Sequence, residues 1–261
     1  MDKAINYCWF GGNPLGEKEK ACIDSWRRFF PDYEIRRWDE SNFDVRCCDY
    51  VSEAYDAKKW AFVSDYARFA ILYENGGLYF DTDVEVIKPF DDVLEKGPFM
   101  GFEKDPSPVG EGSVAPGLGL AANPGLGLYS DIIASYKEYH FVKPDGSLNL
   151  QTVVERVTAI LLEKGLRPET GVQVVDGVFI YPSAWFNPTD LETGEVHIKP
   201  ETHSIHHYDA SWQPESLRRV GAIKQTLSRH APWLPVKVRS ALAWAAYVLR
   251  TGDFKAFGER F

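Results

Sequence analysis

Asp81-Thr82-Asp83 places two carboxylates one residue apart, directly after the apolar run Leu78-Tyr79-Phe80. Like charges at that spacing repel, and a shared cation relieves the repulsion. Mg²⁺ or Mn²⁺ does so while leaving positions open for phosphate oxygens. Solvated turns also contain this tripeptide, so its meaning depends on the residues before it. Asp65 and Arg68 stand three residues apart in a segment of helical periodicity and therefore share one face. They are candidates for the same pocket, with a purely structural ion pair as the competing reading.

These residues need elements to hold them. Residues 5–10 are rich in strand formers and stop at Gly11-Gly12. Residues 15–30 carry Ala21, Cys22, Ser25, Trp26 and Phe29 at helical spacing before Pro31, and 33–38 again read as a strand. A strand-helix-strand opening predicts an α/β fold with parallel pairing. The next helix, with Trp60, Val63, Ala67, Ala70 and Ile71 on its apolar side, ends at Asn75-Gly76-Gly77. A short buried strand follows over 78–80, so the aspartates sit at its carboxyl end, where α/β sheets bind ligands. Further strands are expected over 84–87, 99–102 and 177–181, helices over 130–139 and 150–163, and a polar loop over 203–212. Beyond Pro214 the chain turns basic and helical. The predicted division is a catalytic domain over 1–215 and a basic helical C-terminal extension over 216–261.

The run Lys58-Lys59-Trp60-Ala61-Phe62-Val63-Ser64-Asp65-Tyr66-Ala67-Arg68, followed by Gly76-Gly77-Leu78-Tyr79-Phe80-Asp81-Thr82-Asp83, resembles the Och1-like, DXD-motif sugar transferases of glycosyltransferase family 32. Tyr7-Cys8-Trp9-Phe10-Gly11-Gly12 is similar to that family's first strand, and Lys88-Pro89-Phe90-Asp91-Asp92 to its usual sequel. The resemblance covers about residues 3–95. It implies a GT-A fold, a Rossmann-like nucleotide-sugar-binding mixed sheet flanked by helices that is shared with the clostridial toxin glucosyltransferases. It also implies a nucleotide-sugar donor and retention of anomeric configuration. Carried over by position, Trp9 stacks on the base, Ser64 touches the ribose, and Asp65 bonds the donor sugar hydroxyls. Arg68 holds sugar or diphosphate, Tyr79 lies beside the β-phosphate, Asp81 binds ribose and metal, and Asp83 is the principal metal ligand. Asp65, Arg68 and Asp83 form the catalytic set. Trp9 and Tyr79 also fit a core role.

Enzymes of this fold bring a C-terminal loop back over the diphosphate, and Ser204-Ile205-His206-His207-Tyr208-Asp209-Ala210-Ser211-Trp212 is the matching candidate. His207, with His206 as the alternative, offers a neutral imidazole to the metal. Ser211 and Trp212 are further donor-site candidates. The stretch 117–123, with its Gly-Leu-Gly, follows no clear strand and opens no helix, which argues against a dinucleotide loop and for a wall beside donor sugar or acceptor. Asn149 and Gln151 are candidates for sugar contacts, Asn149 equally for a helix cap.

Composition bounds the function. A net charge of −9 over 261 residues disfavours nucleic acid, which needs a concentrated basic surface. The stretch 218–261 departs from this, with nine Lys/Arg against two acids. There Lys237, Arg239 and Arg250 flank Leu242, Trp244, Tyr247, Val248 and Leu249, with Phe254, Phe257 and Phe261 following, a pattern suited to an anionic membrane surface or to packing on the catalytic domain. Cys8, Cys22, Cys47 and Cys48 match no zinc spacing and read as free thiols in a reducing compartment. No signal peptide is expected, and the apolar stretch 241–249 is far short of the roughly 20 residues a membrane span needs. The expected protein is cytoplasmic or peripheral on the inner face of the membrane. UDP-hexose is expected as donor in preference to GDP-mannose, and the family resemblance implies as acceptor a hydroxyl of a glycan or lipid-linked polysaccharide intermediate. Two rivals are a haloacid-dehalogenase-type phosphatase and a non-catalytic sugar-binding protein on the same fold. The first wants Thr or Val four residues past its first Asp, where this chain has Glu85.

Overall fold

The structure, a computed structural model, describes residues 1–108, 110–209 and 214–253. The chain runs through β1 (Ala4–Cys8), α1 (Glu17–Phe29), β2 (Glu34–Trp38), α2 (Asp49–Asp56), α3 (Trp60–Asn75), β3 (Gly77–Tyr79), β4 (Val84–Val86), α4 (Asp91–Leu94), β5 (Phe99–Lys104), β6 (Ser113–Val114) and β7 (Leu120–Ala122). It continues through α5 (Gly127–Tyr136), α6 (Val153–Glu163), β8 (Gln173–Val175), β9 (Val178–Tyr181), α7 (Ser183–Phe186), β10 (Ser204–His206), α8 (Glu215–His230) and α9 (Val236–Thr251). Two compact units emerge: Met1–Pro188 with Ile198–His207, and Thr189–His197 with Tyr208–Phe261.

In the first unit the main sheet runs β2-β1-β3-β7-β5-β9-β8, with β6 added on β5. β1 is parallel to β2 and β3, β7 is antiparallel to β3 and β5, and β9 is parallel to β5. The carboxyl ends of β1, β3, β5 and β9 therefore share one edge. This is the mixed α/β sheet flanked by helices expected of a GT-A fold. β1 is buried along its whole length, and the Asn6 side chain ties its neighbours together by donating to the Leu78 carbonyl at 3.0 Å and accepting from the Trp38 indole at 2.8 Å. A buried amide so satisfied keeps three strands in register.

α3 is largely apolar and packs on β1, β3 and β7. It must reverse into β3 within two residues. Gly76 and Gly77 do this at φ +70° and +90°, and a Cβ on Gly77 would lie 2.7 Å from the Ala4 carbonyl oxygen. The predicted polar loop over 203–212 is corrected in part: Ser204–His206 form β10, antiparallel to β4. Three residues are too few to show a strand period, and Ser204 is buried despite its polarity. The stretch 117–123 likewise contains β7, behind a single 3-10 turn at Pro116–Leu118.

In the second unit α8 and α9 pack on each other through Val220, Ala243, Trp244 and Tyr247, supported by Ile223, Leu227 and Val248. This corrects the membrane-facing reading for Trp244, Tyr247 and Val248, because burying them between helices satisfies their apolar surface without lipid. Leu242 and Leu249 remain exposed, as does Trp233 between the helices at 79%. Phe254, Phe257 and Phe261 lie outside the described residues. Among the described residues no helix is long and apolar enough to cross a membrane.

Candidate active site

Tyr79 ends β3, and the chain then turns sharply: the Asp81 N–H donates to the Gly117 carbonyl at 3.2 Å and the Val84 N–H to the Asp81 carbonyl at 3.0 Å. α1 fixes β4 in place. The Trp26 indole donates to the Val84 carbonyl at 2.7 Å, and the Ser25 hydroxyl accepts the Val86 N–H at 2.9 Å. β4 in turn aligns β10, with His206 opposite Val84. Through this chain of contacts a helix near the amino terminus and a strand near residue 205 both bear on Asp83.

His206 Nε2 lies 3.2 Å from Asp83 Oδ1. One ligand atom each from Asp81, Asp83 and His206 falls within 4.8 Å of the others. Two carboxylate oxygens and an imidazole nitrogen form a donor set that fits Mn²⁺ or Mg²⁺. Burial disfavours the charged imidazole of His206, yet the facing carboxylates of Asp83 and Asp81 and the charge of Glu103 raise its pKa above the ordinary value. His207, the preferred ligand from sequence, is corrected. Its Nε2 lies 2.9 Å from Glu85 Oε2, because consecutive side chains at a strand end point apart and only one of the pair can face the aspartates.

Arg68 occupies the centre of the other half. Its Nη2 lies 2.9 Å from Asp65 Oδ1 and 3.3 Å from Asp81 Oδ1, and its Nε donates to the Ser64 carbonyl at 3.1 Å. Both readings of the Asp65–Arg68 pair therefore hold: it is an ion pair, and it belongs to the D-x-D pocket. Burial pushes the Asp65 carboxyl up to about 7 against the pull of Arg68. Asp81 is raised by burial, with Asp83 acting the same way and Arg68 and His206 opposing. Tyr79 donates its hydroxyl to Asp81 Oδ1 at 3.0 Å, and the Arg68 guanidinium stands 5.1 Å from its ring centroid. Tyr79 is thus a buried aromatic whose hydroxyl reaches Asp81.

Trp9 follows β1 on the same edge, half-buried, its indole donating to the Asn13 carbonyl at 2.7 Å. The Ser64 hydroxyl donates back to the Trp60 carbonyl at 3.1 Å and keeps its acceptor capacity. Asn149 is not the cap of α6. Thr152 and Glu155 form that capping box, and Gln151 accepts from Arg156 at 3.2 Å. Ser211 and Trp212 lie outside the described residues. Sequence reasoning missed the place of Gly117 against Asp81, whose only signal was a Gly-Leu-Gly read as a wall beside donor sugar or acceptor, and of Glu103 near the end of β5.

Comparison with known proteins gives the same region of the chain a family context. Residues 16–100 match the glycosyltransferase sugar-binding region containing the DXD motif. Inositol phosphoceramide mannosyltransferase 3 of Schizosaccharomyces pombe is 34% identical over 102 residues, which is 36% of this chain and 27% of that protein. Among solved structures, the PaToxG glycosyltransferase covers 63% of this chain and 70% of its own at 18% identity and a TM-score of 0.47. The galactosyltransferase LgtC, in complex with donor and acceptor sugar analogs, covers 93% and 95% at 14% identity and a TM-score of 0.46.

Proposed function

We propose, for a chain that carries the DXD-containing sugar-binding region of glycosyltransferases, that it moves a hexose from a nucleotide sugar to a hydroxyl of a glycan or lipid-linked polysaccharide intermediate, with retention at the anomeric carbon. The observation that carries this reading is the convergence of Arg68, Asp81, Asp83 and His206 at the carboxyl end of β3. UDP-hexose is preferred to GDP-mannose as donor.

In this reading Trp9 supports the base, Ser64 the ribose and Asp65 the sugar hydroxyls. Arg68, fixed by Asp65 and by the Ser64 carbonyl, presents a preorganised guanidinium to the diphosphate. A divalent cation held by Asp81, Asp83 and His206 would neutralise charge on the departing diphosphate. The acceptor oxygen bonds to the anomeric carbon on the face the diphosphate leaves, the carbon–oxygen bond to phosphate breaks, and the hydroxyl proton passes to a diphosphate oxygen. No protein base is then needed. The joint presence of Asp65, Arg68, Asp81 and Asp83 weighs against the non-catalytic alternative.

The second unit suits an anionic lipid surface that would present such acceptors. Trp233 is exposed, as are Arg229 and Lys237, each four residues from it in the sequence. The four cysteines are free, which suits a reducing, cytoplasmic setting.

The test is transfer of label from UDP-glucose and GDP-mannose with Mn²⁺, with and without chelator, alongside a thermal-shift series of UDP, GDP and CDP sugars. Chelator-sensitive stabilisation by one nucleotide class is the expected result. Stabilisation by none of them, or equally without metal, would sink the reading.

A further inference from the structure

Two acids at the sheet edge face the cation site, and a third lies further along. Glu103 is the penultimate residue of β5, half-buried, on the edge that carries Asp81. It is not one of the Asp81, Asp83 and His206 group. Its Oε2 accepts from the Ser113 hydroxyl at 3.5 Å, and its backbone carbonyl accepts from the Asn187 side chain at 2.9 Å, so the strand end is held from two sides. The turn Pro116–Leu118 lies between: Gly117 touches Asp81, while Ala115 donates its N–H to the Gly101 carbonyl of β5 at 3.1 Å.

Strand order gives this position a direction. Trp9 follows β1, the aspartates follow β3, and Glu103 ends β5, two strands beyond β3. Adjacent strands are about 4.8 Å apart, so the end of β5 stands roughly 10 Å from the end of β3, on the side away from β1. In the reading proposed above, Asp65 and Arg68 on α3 hold the donor sugar. On that reading the β5 side is the one left for a second sugar.

We propose that Glu103 is an acceptor-binding residue whose carboxylate receives hydrogen bonds from the hydroxyls of a neutral sugar at the acceptor's end. This rests on the transferase reading and deepens it. An ionised carboxylate is an acceptor only and pairs well with neighbouring hydroxyls, whereas a phosphorylated or acidic sugar placed against it would be repelled. The acceptor group is accordingly a neutral hexose, and Glu103 sets its position.

The experiment uses the full chain and its Glu103→Gln and Glu103→Ala variants. Affinity for UDP-glucose and GDP-mannose with Mn²⁺ is measured by calorimetry, and transfer is measured to a panel of neutral 4-nitrophenyl hexosides. For Glu103→Gln, donor affinity should stay within about 2-fold, while the acceptor KM rises by about 10-fold or more and kcat moves less, the order expected when a hydroxyl loses a charged partner. Donor affinity doubles as the check on folding. An unchanged acceptor KM overturns the inference, as does a donor affinity that falls in parallel, which would put Glu103 at the cation corner. It is also overturned if the wild type binds donor but accepts none of the hexosides. Failure of the wild type to bind either nucleotide sugar is a different result, and overturns the transferase reading itself.

Discussion

Gly117 and Asp81 meet twice. The Gly117 carbonyl accepts the Asp81 N–H at 3.2 Å, and a Cβ built on Gly117 would lie 2.1 Å from Asp81 Oδ2. A side chain at Gly117 would therefore have to displace the Asp81 carboxylate. The same added carbon would stand 3.3 Å from Arg68 Nη1, so it would press on the Arg68–Asp81 pair as a whole.

Gly117→Ala should displace Asp81 and weaken Mn²⁺-dependent donor affinity by about 10-fold or more, with a stability cost of about 1–3 kcal/mol for overpacking. Calorimetry and urea denaturation on the same preparation separate the two effects. Donor affinity equal to wild type would show that Asp81 has room this geometry denies it.

Arg68→Ala leaves Asp65 and Asp81 without the cation between them. Removing one partner from a buried ion pair costs about 3–5 kcal/mol, and loss of a preorganised charge contact lowers turnover about 10²–10³-fold. Arg68→Lys restores the charge but not the planar fork that reaches both acids, so it should recover stability further than turnover. If Arg68→Lys restores both fully, or if Arg68→Ala costs stability alone, the diphosphate role is wrong.

His206 and His207 should behave oppositely despite being adjacent. His206→Ala removes the imidazole beside Asp83 and should abolish stabilisation by Mn²⁺ with donor, while His207→Ala, which loses only a half-exposed contact to Glu85, should keep it. Thermal shifts with and without metal decide. Equal loss in both variants would put the ligand set in error.

The residues of the site were more legible in the sequence than the surroundings that place them. Asp65, Arg68, Tyr79, Asp81 and Asp83 fall within one helix-turn-strand unit, where local spacing sets geometry, and the glycines at 76 and 77 mark the reversal. His206 could not be chosen over His207, because the choice depends on the register of β10 against β4, a contact about 120 residues away in sequence. Gly117 was opaque for the same reason: its meaning lies in the atom it approaches. Trp244 and Tyr247 look alike on a lipid-facing or a packed helix, and only the partner helix α8 shows which residues are inside.

The exposed part of the second unit yields a vesicle prediction. The full chain should float with phosphatidylserine vesicles at low salt and less with phosphatidylcholine alone, since each Lys or Arg near an anionic surface contributes about 1 kcal/mol and salt screens it. Trp233→Ala and Arg229→Glu should each reduce flotation, whereas Trp244→Phe should chiefly lower stability. Flotation that ignores lipid charge, or is untouched by both surface changes, would remove the membrane from the account.

Asp65 gives the site a pH dependence whose sign follows from its burial. Its carboxyl is pushed up to about 7 by burial, with Arg68 and Arg156 lowering it and Asp81 raising it, against about 3.9 in an unfolded chain. From about pH 4 to about pH 7 the folded chain therefore holds a proton the unfolded chain has released. Stability from this group falls as pH rises through that window, by at most about 1.4 kcal/mol per unit, and is level above and below it. Donor affinity should run the other way, because Asp65 accepts sugar hydroxyls fully only when ionised. Asp65→Asn cannot titrate, so the difference between wild type and variant isolates the effect from other groups. Urea denaturation without metal and donor calorimetry with Mn²⁺, each across that range, supply the two curves. A difference in stability that stays flat from about pH 4 to about pH 7 would mean that Arg68 holds Asp65 ionised throughout, and the donor-affinity rise should then vanish with it.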